Sequence, residues 1–119
     1  MKDWDVTTLG STMLSLSTEV GVPFQGSEGV QVDIAGSESN CAIALAGLGK
    51  RVAWQSRVAR TPIGERIVSK IRARGVDVSK VAWAAEGRNE FMFVESGLGA
   101  NRTNVIYDRS GASIESLTI

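Results

Sequence analysis

Residues 35–42, with the sequence AGSESNCA, combine the residue types from which a protein can build a site for hydroxyl groups. Gly36 is predicted to make the turn that opens a helix, and Asn40 follows one helical turn later. Backbone N–H groups and an amide side chain then surround one small concavity. This suits a hydroxyl, because each hydroxyl both donates and accepts a hydrogen bond. We therefore predict that Gly36, Ser37 and Asn40 line a binding site.

The same segment also fits a plain helix start without any ligand. In that interpretation Ser37 is the N-cap, with Glu38 in the first turn, and Asn40 bonds to the nearby backbone. The spacing of these residues leaves both interpretations open.

Two helices and several short strands must position this segment. The first helix is predicted over residues 39–48, with Gly49 as its stop. The second has a clear start signal, with Thr61 as N-cap and Pro62 at the first helical position, and Gly75 follows its end. Strands are predicted at 6–9, 13–16, 30–34, 52–58, 81–83, 91–94 and 104–107, with a turn at 97–101 between the last two.

The order of these elements predicts an α/β fold in one domain, residues 1–119. Strand, helix, strand, helix, strand between residues 30 and 83 indicates a parallel, Rossmann-like sheet. The flanking strands of two-residue periodicity indicate a small β lid beside it. A composition of 43% hydrophobic and 22% charged residues is typical of a globular chain.

Composition also excludes several function classes. Thirteen basic residues balance thirteen acidic ones, so nucleic acid and membranes are not expected partners. The chain has no histidine, which excludes His-containing metal sites and His-dependent triads. Cys41 is the single cysteine, and no signal peptide or membrane-spanning stretch is evident, so a cytoplasmic location is expected.

Several motifs in order resemble those of the ribokinase-like (PfkB) carbohydrate kinases. Gly36, Asn40, Ala42 and Gly49 match the first signature of that family. The likeness continues through SRV at 56–58, PIG at 62–64, GVD at 75–77 and VIYDRSGA at 105–112, and so covers essentially the whole chain. The resemblance implies a ribokinase-like fold and a sugar substrate.

Within that family the chain most resembles the 2-keto-3-deoxygluconate kinases and close sugar-acid kinases. The form of the segment at 35–40 and the pattern Tyr107-x-Arg109 carry this likeness. The resemblance implies that Arg109 holds the substrate carboxylate, for which a planar guanidinium is well suited. Tyr107 would give its hydroxyl to the sugar. The alternatives are a solvated arginine and a tyrosine that packs in the small sheet.

The chain departs from the family pattern at four places. Ser11 follows Gly10 where an acidic residue is usual, and ART at 59–61 replaces a Gly-Asp/Asn-Asp loop. Near Met92 an expected tyrosine is absent, and Glu90 stands where a small residue is common. These departures bear on which sugar is bound.

The resemblance places the ATP site, its anion hole and the catalytic aspartate beyond Ile119. We therefore assign no catalytic residue, no metal site and no cofactor to this chain. The resemblance implies that ATP and magnesium belong to the full-length family, and we expect the chain alone to be inactive. The alternative is a stand-alone binding or oligomerisation module. A dinucleotide-binding unit is disfavoured, because no Gly-x-Gly-x-x-Gly follows the first strand. Uncovered strand edges also predict a homo-oligomer.

Overall fold

The computed structural model describes residues 3–100 and 102–118, and in this part of the chain the predicted α/β fold is confirmed. The strands and helices are β1 (Val6–Leu9), β2 (Met13–Ser17), β3 (Gln31–Ala35), α1 (Ser37–Gly47), β4 (Val52–Gln55), β5 (Arg57–Ala59), α2 (Pro62–Arg72), β6 (Ala82–Ala84), β7 (Phe91–Glu95) and β8 (Asn104–Asp108). Neither helix is long and apolar enough to cross a membrane.

The parallel core is built around the apolar run 52–59. β4 pairs in parallel with β1, and β5 pairs in parallel with β6. Asp77 lies along the other side of β4, where its N–H donates to the Val52 carbonyl at 2.8 Å. Residues 52–59 therefore join two short parallel pairs, β1-β4 and β5-β6, and most of their side chains are buried.

Helix α2 covers one face of the core. Its start follows the predicted signal, since the Thr61 hydroxyl accepts a hydrogen bond from the Gly64 N–H at 3.1 Å. Ile67 and Ile71, one turn apart, are fully buried and share a hydrophobic cluster with Trp54 of β4. Because these isoleucines are four residues apart, they lie on the same face of α2, and that face packs in the core.

The lid is a four-stranded sheet with the strand order β3-β2-β7-β8. β2 pairs in parallel with β7, while the two outer pairs are antiparallel. Directly paired residues share a face of a sheet, so the register defines one apolar row across all four strands, Val32, Leu16, Phe93 and Ile106. The neighbouring row on the opposite face is Asp33, Ser15, Met92 and Tyr107.

Three local predictions are wrong. The strand at 30–34 belongs to the lid as β3, not to the parallel core, because it pairs antiparallel with β2. The run 52–58 is not one strand: it divides at Ser56, where the chain changes its strand partner from β1 to β6. Gly36, not Ser37, is the N-cap of α1, and it makes no side-chain cap. The predicted turn at 97–101 includes Asn101, which lies outside the described residues.

Candidate functional site

A cleft of about 390 Å³ opens between the start of α1 and the polar face of the lid. All five residues predicted as a binding site line it, namely Gly36, Ser37, Asn40, Tyr107 and Arg109. The cleft brings together two segments that lie about seventy residues apart in the chain, through the pairing of β2 with both β3 and β7.

Gly36 is required by close packing and not by its backbone angles, since its φ of −175° is ordinary extended backbone. A Cβ here would lie 2.6 Å from the Ser11 carbonyl oxygen and 2.8 Å from the Thr12 hydroxyl. Below it, the buried Thr12 hydroxyl donates to Ser39 at 2.7 Å, and Ser39 donates to the Gly36 carbonyl at 3.1 Å. These bonds hold the first turn of α1 against the residue that directly precedes β2.

Ser37 and Asn40 lie in the first turn of α1 with exposed side chains. The Asn40 backbone N–H donates to the Gly36 carbonyl at 2.8 Å, but its side-chain amide has no hydrogen-bond partner within residues 3–100 and 102–118. The amide thus keeps both donor and acceptor capacity on the cleft side. A plain capping role for Ser37 and local bonding by Asn40 are both absent from this part of the chain.

Arg109 follows β8 at the inner end of the lid and is held on three sides. Its Nε lies 3.3 Å from Glu90 Oε2 and donates to Met13 Sδ at 3.4 Å. The guanidinium carbon lies 4.2 Å from the centre of the Tyr107 ring. The Arg109 side chain is 51% exposed, and its terminal nitrogens make no hydrogen bond to any described residue.

Tyr107 lies on the cleft face of β8, in register with Met92 of β7. It is 55% exposed, and Arg109 covers one face of its ring. The tyrosine therefore does two things that sequence alone could not separate: it packs in the small sheet, and it lines the cleft.

Comparison with known proteins places this fold in a family. The sequence pattern described as "pfkB family carbohydrate kinase" matches residues 5–117. The chain belongs to this family.

Individual PfkB relatives agree with that assignment. The chain is 34% identical to a 2-dehydro-3-deoxygalactonokinase of Haloferax volcanii, over 92% of this chain and 34% of the relative. It is 33% identical to a 2-dehydro-3-deoxygluconokinase of Bacillus subtilis, over 71% of this chain and 26% of the relative. The crystal structure of 2-dehydro-3-deoxygluconokinase from Thermotoga maritima superposes with a TM-score of 0.90 at 26% identity, over 95% of this chain and 34% of that one. The chain therefore spans about a third of the length of these relatives.

In this PfkB chain the structure adds site residues that sequence reasoning did not select. Ser11, Met13, Glu38 and Met92 also line the cleft. Two of them, Ser11 and Met92, were visible only as departures from the family pattern. Met13 carried no signal, because an apolar residue in a strand looks the same whether it faces a core or a ligand.

Asn89 is a second residue that sequence reasoning missed. It is buried at the base of the lid, where its side chain accepts from the Ala59 N–H at 3.0 Å and donates to the Ala59 carbonyl at 3.2 Å. It also donates to the Thr61 hydroxyl at 3.2 Å. Asn89 thus joins the start of β7 to the loop before α2 and fixes the lid on the core.

Metal ligands are not clustered in the described residues. No group of three or more His, Cys, Asp or Glu side chains in 3–100 and 102–118 could hold a metal ion. We assign no metal ligand among these residues and derive no step through a metal ion.

Proposed function

We propose that this chain forms the substrate-binding part of a kinase for 2-keto-3-deoxy sugar acids. The observation that carries the proposal is the arrangement of Arg109, whose terminal nitrogens are unpaired in the cleft that also holds the free Asn40 amide. The names of the relatives, 2-dehydro-3-deoxygalactonokinase and 2-dehydro-3-deoxygluconokinase, support the same substrate class.

Each residue then has a role that its chemistry allows. Arg109 pairs with the carboxylate of the sugar acid through two parallel N–H···O bonds. At the other end of the cleft, the Asn40 amide and the backbone around Gly36 and Ser37 bind sugar hydroxyls. Tyr107 contributes its hydroxyl between these two ends. A ligand with a carboxylate at one end and hydroxyls along its length matches this order.

We assign these residues no role in phosphoryl transfer. In the whole kinase, ATP with magnesium supplies the phosphoryl group, and we propose that this chain alone neither binds ATP tightly nor phosphorylates sugars. A coupled kinase assay tests this directly. Turnover well above that of a sample without protein would contradict it. A cytoplasmic location is part of the same proposal, in keeping with the exposed free thiol of Cys41.

Binding by Arg109 is tested by titrating the chain with 2-dehydro-3-deoxygluconate in a calorimeter. Replacing Arg109→Ala should weaken binding by about 1.5–3 kcal/mol, or roughly ten- to 150-fold, because a charge-assisted pair is lost. Arg102→Ala is the matched control, since Arg102 is exposed near the far end of the lid and does not line this cleft. Equal affinity of the Arg109→Ala variant and the wild type would remove Arg109 from the site.

We also propose that the chain self-associates through the lid. Ile106, at the β8 end of the apolar row of the lid, is 58% exposed. β3 and β8 are both edge strands, whose free backbone groups can pair with another chain. Sedimentation at micromolar concentration should show a mass above 12.7 kDa, and Ile106→Asp should lower it. A monomer mass for the wild type would contradict this proposal and leave the sugar-acid proposal untouched.

A further inference from the structure

Glu90 is a buried carboxylate directly beside the proposed carboxylate-binding arginine. Its side chain is only 6% exposed, and its Oε2 lies 3.3 Å from Arg109 Nε. The register of the lid explains the contact: β7 and β8 pair Phe91 with Asp108, so the next residues outward, Glu90 and Arg109, lie opposite each other. The Leu14 N–H donates to the Glu90 carbonyl at 3.0 Å and fixes the backbone there.

The contacts of Arg109 leave one edge of its guanidinium free. Glu90 and Met13 both approach Nε, and the Tyr107 ring covers one face. A guanidinium can pair bidentately through its Nε side or through its two terminal nitrogens. Because the Nε side is taken, only the terminal pair remains for a ligand in the cleft.

We propose that Glu90 is a positioning residue, which orients Arg109 so that its two terminal nitrogens meet the carboxylate of the sugar acid. This inference rests on the proposed function. A held side chain loses less conformational freedom on binding than a mobile one, and immobilising one long side chain corresponds to about 0.5–1.5 kcal/mol.

The negative charge of Glu90 has a second consequence. It offsets much of the positive charge of Arg109, so the pair attracts anions weakly at long range. Affinity then depends on the geometry of a bidentate contact more than on charge alone. Glu90 therefore favours a planar carboxylate over a neutral sugar without making the cleft a general anion site.

The proposal is tested by a double-mutant cycle in the 119-residue chain, with Glu90→Gln, Arg109→Ala and both together. NMR titrations with 2-dehydro-3-deoxygluconate and with D-fructose, a neutral ketose, measure the two affinities. Glu90→Gln should weaken binding of the acid about two- to tenfold and change binding of fructose less than about twofold. In the Arg109→Ala background, Glu90→Gln should have no further effect on the acid.

The outcomes separate this inference from the proposed function. If Arg109→Ala leaves acid binding unchanged, the proposed function fails. If Arg109→Ala weakens acid binding and Glu90→Gln does not, or tightens it, the positioning role is overturned while the proposed function stands. A loss that affects fructose equally, or that persists without Arg109, assigns Glu90 to lid structure and also overturns the positioning role.

A measurement without ligand keeps the inference testable if a variant does not fold or binding is too weak. The Nε–H signal of Arg109 in the free wild-type chain, assigned by its loss in Arg109→Lys, should exchange with solvent at least about tenfold more slowly than that of the exposed Arg102. Because this N–H donates to Met13 Sδ with Glu90 beside it, Glu90→Gln should loosen the side chain and reduce the difference, and an unchanged difference would overturn the inference. Equal exchange of the two arginines in the wild type would overturn the inference without any variant of Glu90.

Discussion

In the parallel core, α2 and β4 enclose Trp54, Ile67 and Ile71 completely, whereas in the lid every residue of β8 is exposed. The core sheet has a helix against it, and this lets apolar side chains close on one another. The lid is a single sheet with a cleft on one face. Its contact with the core combines the buried Met13 and Leu14 of β2 with specific bonds such as those of Asn89. The fully buried apolar side chains are concentrated in the core, whereas the candidate site lies between the start of α1 and the lid.

The largest difference between the two regions is expected when an isoleucine is replaced with alanine in each. Ile67→Ala should lower the free energy of unfolding by about 2–5 kcal/mol, because it leaves a cavity in a fully buried site. Measured at a concentration at which the chain is monomeric, the exposed Ile106→Ala in the lid should change it by no more than about 0.5 kcal/mol. Urea unfolding followed by circular dichroism measures both. Similar losses in the two variants would show that the lid is as tightly packed as the core.

The link between the two regions is tested at Asn89. Asn89→Ala should lower the free energy of unfolding by about 2 kcal/mol, since it leaves the buried Ala59 N–H without its partner and removes one of the donors to the Ala59 carbonyl, which keeps the Thr61 N–H. Asn40→Ala is the matched control, because the Asn40 amide has no partner among the described residues and should leave stability unchanged. Hydrogen exchange should show faster opening of β7 in Asn89→Ala. Unchanged exchange in β7 would rule out the link.

A smaller loss of stability is expected from substitutions at the starts of the two helices. Thr61→Ala should destabilise the chain by about 1 kcal/mol, because the hydroxyl caps α2. Ser37→Ala should have almost no effect, since Ser37 is the first residue of α1 and not its N-cap. Thermal unfolding of the two variants compares them directly. A larger loss for Ser37→Ala would restore the capping role that the sequence suggested.

The smallest expected effect is the loss of stability at low pH that arises from one carboxylate in each region. Hydrogen bonds from Ser79 and from the Trp4 indole lower the pKa of Asp77 beside the core, and bonds from the Phe24 N–H and Asn104 lower the pKa of Glu95 in the lid. Because the pKa of each carboxyl group is lower in the folded than in the unfolded chain, the ionised group stabilises the fold at pH values above the unfolded pKa, near about 4. That stabilisation is lost as the pH falls through the folded pKa.

Asp77→Asn and Glu95→Gln should therefore each make stability fall less steeply below about pH 4 than in the wild type. Both residues are only half-buried, so solvent screens the effect. Urea midpoints measured between about pH 2.5 and 6 are compared with those of the wild type. Parallel acid profiles for a variant and the wild type would show that its carboxylate contributes nothing.

The match between prediction and structure is best where the signal is local. The start of α2 depends on Thr61 and Pro62 alone, and its buried face on isoleucines four residues apart, so residues 61–72 contain all that is needed to predict the helix. The lid pair β7 and β8 was predicted for the same reason. The strand at 30–34 was misassigned, because two-residue periodicity shows that one face is exposed but not which sheet the strand joins.

By itself, the sequence determined the α/β class, the boundaries of α2 and the types of residue in the candidate site. Only the tertiary structure decided how those residues are held. Met13 and Arg109 lie 96 positions apart, and Asn89 and Ala59 lie 30 apart. No local pattern can encode contacts of that range, because they depend on which strands pair and in which register. For this reason Arg109 could be predicted from the resemblance of its motif to a family pattern, while its partner Glu90 could be identified only once β7 and β8 were seen side by side.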